Sequence, residues 1–197
     1  PYCIVLNLWG GQFFPEDRIA YEEKAVAEIA DQYKCAVTQG IAAIPAASER
    51  LKGMLNGPWE ADVYWKERQM GGCLDVVFES GMDKVPAYWN LFKQLAGESG
   101  LASNDLGLYI QPRQRARVCH VEFTIPCDPA GAGIDKVKAF HKYASEAVMN
   151  AGAFFYRPYY DWADMIYSRS GYTFETIKKL KKIIDPNRTL NPGRINL

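Results

Sequence analysis

The chain has 197 residues, 48% of them hydrophobic and 23% charged, with acidic and basic side chains balanced at 23 each. That length supports one sizeable core, and the neutral balance leaves neither the footprint of a nucleic-acid binder nor a polybasic membrane patch. No apolar run approaches the roughly 20 residues of a membrane span, and no signal peptide is expected.

The five cysteines, Cys3, Cys35, Cys73, Cys119 and Cys127, are odd in number and form no CxxC pair. They point to a reducing, cytoplasmic setting and away from a disulfide framework or a zinc site. With His120 and His141 as the two histidines, no histidine-rich metal centre is expected. A first residue Pro1 implies a chain that is processed, cut or part of a longer product.

The opening YCIVLNLWGG is apolar and β-branched and ends on two glycines, which predicts a buried strand. From Pro15, the residues Ile19, Val26, Ile29 and Tyr33 fall on one face of an amphipathic helix of about five turns. Residues 36–71 show weak periodicity and are expected to be irregular, with a short helix near Ala47–Leu55. CLDVVFES then predicts a strand, and Val85, Tyr88, Trp89, Phe92 and Leu95 mark a helix.

LGLYIQP and RVCHVEFTIP predict a hairpin turned at Pro112–Ala116, whose Arg113, Arg115 and Arg117 read as a solvated basic run. Ile134, Val137, Phe140, Ala144 and Val148 mark another helix, ended by Gly152 as a C-cap glycine. AFFYRP predicts a short strand stopped by Pro158. The order strand, helix, strand, strand, helix, strand is that of an α+β, ferredoxin-like fold: an antiparallel sheet with helices on one face. In Val118–Ile125, alternation sends Cys119, Val121, Phe123 and Ile125 to the helices. Val118, His120, Glu122 and Thr124 face the other way, toward either solvent or a site.

A last amphipathic helix, with Phe174, Ile177, Leu180 and Ile184 on one face, stops before Pro186. The tail DPNRTLNPGRINL holds two prolines, a glycine, three asparagines and two arginines in thirteen residues. Pro186 and Pro192 fix φ, and Gly193 permits close backbone approach.

This tail resembles the C-terminus of the vanillyl-alcohol oxidase and p-cresol methylhydroxylase family of FAD-linked oxidoreductases. There a helix runs into a DPNG-like segment followed by a PGK/R motif, here Asp185-Pro186-Asn187 and Leu190-Asn191-Pro192-Gly193-Arg194. LNLWGG near the start looks like the opening of that family's substrate, or cap, domain. The resemblance implies a cap domain over residues 1–172 and a helix and tail over 173–197 that return to a flavin-binding domain. It also implies that Asn191, Gly193 and Arg194 lie against the flavin, with Arg194 near its pyrimidine end. No glycine-rich phosphate-binding segment belongs to this sequence, since Gly10-Gly11 and Gly71-Gly72 are isolated doublets. The chain is therefore expected to be a C-terminal fragment or one piece of a split enzyme, partnered by a FAD-binding segment or subunit.

FFYRPYYDWADMIY supplies the expected substrate side. Tyr156-Arg157 match a Tyr-Arg pair that holds the phenolate oxygen of the substrate in the phenol-oxidising branch. An arginine beside a tyrosine hydroxyl stabilises a phenolate in an aromatic pocket, which eases hydride loss from a para benzylic carbon. The alternative for Arg157 is a structural ion pair with Asp161 or Asp164. The resemblance adds His120, on a strand that the family uses as pocket wall, to the catalytic set; Glu122 is a weaker candidate and His141 reads as structural. Gly71–Val77 lacks the histidine or tyrosine that some members bond to the flavin; Cys73 is the nearest reactive side chain, and noncovalent FAD is expected. The expected partners are a small aromatic substrate, an electron-acceptor protein and further copies of the chain in a homo-oligomer. A 2-hydroxy-acid dehydrogenase and a non-catalytic ferredoxin-like binding module are the competing readings.

Overall fold

A computed structural model describes residues 3–38, 49, 53, 65–102, 105–159 and 161–190. The chain divides into two units, Pro1–Asp62 and Val63–Leu197.

In the first unit, helix α1 spans Pro15–Tyr33 and starts with a proline and the acidic Glu16 and Asp17 in its first turn. Both suit the positive end of a helix dipole. The buried strand expected before it is not formed: residues 3–11 make no ladder among the described residues, and Ile4 and Trp9 are 82% and 78% exposed. β-branched composition favours extension, but a strand is held only by its neighbours, and here no described neighbour supplies the hydrogen bonds. Gly10 is required for a different reason, since a Cβ there would fall 2.4 Å from the Pro15 carbonyl oxygen. The short helix expected near Ala47–Leu55 lies largely outside the described residues, of which 49 and 53 are helical.

The second unit is mixed α and β. Its elements are β1 (Gly72–Ser80), α2 (Val85–Glu98), β2 (Gly107–Arg113), β3 (Val118–Cys127), α3 (Ile134–Asn150), α4 (Asp161–Tyr167) and α5 (Tyr172–Ile184). Short 3-10 turns occupy Trp65–Arg68 and Met82–Lys84. The three strands form an antiparallel sheet in the order β1-β3-β2. Three consecutive left-handed residues, Gln114, Arg115 and Ala116, turn the β2–β3 hairpin. Schellman hydrogen bonds close α3, from Gly152 N–H to Met149 and from Ala153 N–H to Val148, with Gly152 at φ +105°.

The core lies between the sheet and helices α2 and α3. Phe123 of β3 meets Phe78 of β1 at 5.1 Å and Phe92 of α2 at 4.8 Å between ring centroids, and Phe92 meets Phe140 of α3 at 5.3 Å. Phe78, Phe92 and Phe123 are fully buried. Each such ring contributes about 1.5–3 kcal/mol of burial free energy, so this cluster anchors β3 firmly.

The strand expected in AFFYRP is reduced to one antiparallel bridge, Glu79↔Phe154. Gly152 just before it has left-handed φ, and Pro158 just after it has no N–H to donate, so few residues remain to pair. The bridge still sets the alternation. Phe155 enters the core against Phe78 and Trp162, and Tyr156 turns the other way.

Candidate functional site

The sheet register decides which side chains share the face away from α2 and α3. Asp75 pairs with Thr124, Val77 with Glu122 and Glu79 with His120 between β1 and β3. Tyr109 pairs with Glu122 and Gln111 with His120 between β2 and β3. Paired residues lie on one face, so this face is polar where the helical face is aromatic. Its β3 positions are buried, with His120 and Thr124 7% and 8% exposed, while Tyr109 and Gln111 of β2 are exposed.

A continuous hydrogen-bonded chain crosses it. Tyr156 Oη lies 2.9 Å from His120 Nδ1, and His120 Nε2 lies 2.8 Å from Glu122 Oε1. Lys66 Nζ, from the Trp65–Arg68 turn, donates to Glu122 Oε2 and, at 2.8 Å, to Asp75 Oδ2. Thr124 Oγ1 donates to the other Asp75 oxygen. Six side chains from four segments are thus joined in series. Arg113 reaches over β3 to Glu79 at 2.7 Å, and Tyr109 sets its ring edge-on to His120.

The charges are mutually supporting. Burial works against the Glu122 carboxylate, but the hydrogen bonds from Lys66 and His120 hold its pKa below the usual range. Burial likewise works against the Lys66 ammonium, whose side chain is 2% exposed, and Asp75 and Glu122 hold its pKa above the usual range. Burial and the Asp75 charge push the Cys73 thiol up to about 11, which leaves it a poor nucleophile at neutral pH.

Of the residues expected to act on substrate, His120 and Tyr156 are hydrogen-bonded partners. Arg157 is exposed and stacks on the Tyr156 ring, 5.1 Å from its centroid. Asp161, one of the carboxylates that a structural role would give it, lies 4.0 Å from Lys142. Asn191, Gly193 and Arg194 lie outside the described residues.

The start of the tail is ordered by Asp185. Its carboxylate accepts from Thr189 N–H at 2.7 Å, Thr189 Oγ1 at 3.1 Å and Leu190 N–H at 2.9 Å, and pairs with Lys181. Lys181 is the leading cause of a carboxyl pKa held far below its ordinary value. The basic hairpin run is exposed, although Arg113 is tied to Glu79.

His141 is tied into the packing on the helical side of the sheet. Its ring stacks on Trp162 and its Nε2 donates to the Asp75 carbonyl at 3.1 Å, while burial lowers its pKa.

Sequence alone places Thr124 on this face without a role and leaves out Lys66 and Asp75. Alternation in CLDVVFES places Asp75 beside Glu79 on one face, so Asp75 was recoverable. Lys66 was not, because no periodic element contains it.

Among the described residues no helix is long and apolar enough to cross a membrane, and no cluster of three or more His, Cys, Asp or Glu is placed to hold a metal ion. No family model, curated protein or solved structure matches the chain.

Proposed function

We propose that the chain is the substrate-side part of a flavin-dependent oxidoreductase acting on a para-substituted phenol, of the 4-cresol dehydrogenase or vanillyl-alcohol oxidase type. The single observation that carries this reading is the Tyr156 hydroxyl seated on His120, with Arg157 stacked on the same tyrosine ring. A phenolic oxygen needs a hydroxyl partner, a nearby base and a cation; the Tyr156 hydroxyl and His120 supply the first two, and Arg157, on the face of the same ring, is the candidate for the third. The tail motif adds its resemblance to the flavoprotein family.

The described residues fit the substrate side better than the cofactor's phosphates. The polar face carries Asp75, Glu79 and Glu122 against Lys66 and Arg113, so its carboxylates would repel a pyrophosphate. FAD, bound noncovalently, would accept hydride from the benzylic carbon, held by a flavin-binding segment or subunit with Asn191, Gly193 and Arg194 of the tail against it. The finer fold assignment belongs to the same proposal: a ferredoxin-like cap domain over 1–172, with 173–197 returning to the flavin domain. The order β1-β3-β2 with the Phe154 bridge on the far edge of β1 supports it. The remaining partners proposed are an electron acceptor and further copies of the chain.

Two competing readings have different signatures. In a 2-hydroxy-acid dehydrogenase, Arg157 would clamp a carboxylate; a ferredoxin-like binding module would hold no flavin. Anaerobic addition of p-cresol to the assembled protein separates all three. Bleaching of a flavin spectrum by p-cresol is the expected result. Bleaching by 2-hydroxy acids alone, or a protein without flavin absorbance, overturns the proposal.

A further inference from the structure

Lys66 is the most buried charge in the polar chain, with 2% of its side chain exposed. Its ammonium donates only, so Glu122 Oε2 and Asp75 Oδ2 both accept from it, and this pairing favours the carboxylate form of Glu122. Glu122 Oε1 is then an acceptor and nothing else, and His120 Nε2 at 2.8 Å has to be the donor. In the neutral imidazole, Nε2–H leaves Nδ1 as the acceptor, and the Tyr156 hydroxyl at 2.9 Å donates to it.

We infer that Lys66 is a positioning residue: through Glu122 it locks His120 in the Nε2–H tautomer, so that Nδ1 stands as the base for the Tyr156 hydroxyl proton. The ligand class is an acidic hydroxyl, such as a phenol, bound against Tyr156. Its O–H proton passes to Tyr156 Oη as the Tyr156 proton passes to His120 Nδ1. The ligand becomes the oxyanion, and the imidazolium forms against the Glu122 carboxylate. Only O–H and N–H bonds change, and no electrons are transferred.

The role of Lys66 follows from what its loss would do. Without the ammonium, Glu122 keeps its burial but loses its strongest partner, and it gains a reason to protonate. A protonated Glu122 donates to Nε2, the ring adopts the Nδ1–H tautomer, and the Tyr156 hydroxyl loses its base. The tautomer lock is independent of flavin; the ligand step rests on the reading that Tyr156 faces substrate.

The test is the nitrogen-15 imidazole spectrum of the full chain, which holds two histidines, with His141→Gln assigning the signals. Wild type should show His120 protonated on Nε2 and bare on Nδ1. Lys66→Met should shift it toward Nδ1–H, and Lys66→Arg should restore the wild-type pattern. Lys66→Gln, which removes the charge but keeps an N–H donor on a shorter side chain, is expected to act in the same direction if Lys66→Met does not fold. A wild-type Nδ1–H ring, or neutral variants that fold and leave the tautomer unchanged, would overturn the assignment. Saturating p-cresol should then protonate Nδ1 and give the ultraviolet difference spectrum of a phenolate. The expected tautomer with no p-cresol binding upholds the lock and overturns the substrate reading. Binding as neutral phenol, with Nδ1 still bare, overturns the proton transfer.

Discussion

The hydroxyl of Tyr156 lies 2.9 Å from Nδ1 of His120, joining the segment after α3 to the central strand of the sheet. This contact depends on two alternations being in phase. His120 faces away from the aromatic core because Cys119 and Val121 face into it, and Tyr156 does so because Phe155 faces into it. Tyr156→Phe should leave the Nδ1 acceptor without its donor in a half-buried position, lowering stability by about 1 kcal/mol. Urea denaturation checks this, and a double-mutant cycle with His120→Ala should show that the loss belongs to the pair.

Lys66→Met should be the most destabilising change on the polar face. Removing one partner of a buried ionic network leaves the others uncompensated, which costs about 3–5 kcal/mol. The pH dependence has a definite sign. Glu122 is held below its unfolded value, so its stabilisation is present above about pH 4.3 and is lost as pH falls through the lower folded value. Lys66 is held above its own, so its contribution is present below about pH 10.4 and is lost as pH rises through the higher folded value. The wild-type network is therefore fully stabilising between these limits. In Lys66→Met the deficit should shrink as pH falls from 7 toward 5, because protonating Glu122 relieves an unpaired buried charge. Chemical denaturation at both pH values measures it; a deficit independent of pH would show that Lys66 acts by packing alone.

Much of this site was legible in the sequence because strand alternation is a local rule. RVCHVEFTIP assigns His120 and Glu122 to one face, and Phe123 to the other, without any knowledge of the rest of the chain. Gly152 was legible for the same reason, since a helix end needs a left-handed residue at that place. Lys66 depends on a long-range event: the 65–68 turn must lie over the start of β1, and nothing periodic records that. The opening strand was not legible for the complementary reason: its residues suit extended backbone, but pairing belongs to the neighbour, and the propensity of a segment does not say whether a neighbour is there. AFFYRP does find its neighbour in β1, but Gly152 and Pro158 cut the pairing to one bridge.

Cys73 lies two residues before Asp75 on the same face of β1, and its thiol is pushed up to about 11. At pH 8 about one molecule in a thousand carries the thiolate. Iodoacetamide should therefore modify the exposed Cys3 and Cys35 well before Cys73, as read by mass spectrometry of tryptic peptides. The same chemistry makes Cys73 a poor point of flavin attachment. If the assembled protein holds the flavin proposed above, acid precipitation should release it, and Cys73→Ala should not change the amount released. Colour retained in the pellet and lost in Cys73→Ala would contradict both statements.

Asp185 gathers three hydrogen bonds from Thr189 and Leu190 and the Lys181 ammonium, closing the turn that follows α5. Asp185→Ala should release this turn without unfolding the core, because α5 buries none of its residues. Trypsin should then cut after Arg188 faster than in wild type, while the melting temperature changes little. The carboxyl pKa is held far below its ordinary value, so the restraint is present above the unfolded value and weakens only in strong acid. Asp185→Asn should be intermediate, since an amide oxygen accepts from the backbone but does not attract Lys181.

Arg157 separates a substrate-binding role from a structural one. Its guanidinium is exposed and stacks on Tyr156, a contact worth about 0.5–1 kcal/mol at most on the surface. Arg157→Ala should therefore leave the melting temperature and flavin content near wild type. If the same guanidinium neutralises a bound phenolate, its loss removes a charge-assisted hydrogen bond of about 1.5–3 kcal/mol. The expected consequence is a fall in kcat/KM on a para-alkylphenol of about tenfold to a hundredfold. Arg157→Lys should recover part of this, because a point charge keeps the attraction but not the planar fork. Stability and turnover have to be read together. Unfolding of Arg157→Ala would place Arg157 in a structural ion pair, with Asp161 or Asp164 as the partner. Full turnover in a folded variant would remove Arg157 from the site, and with it the cation on which the proposed phenolate ligand rests.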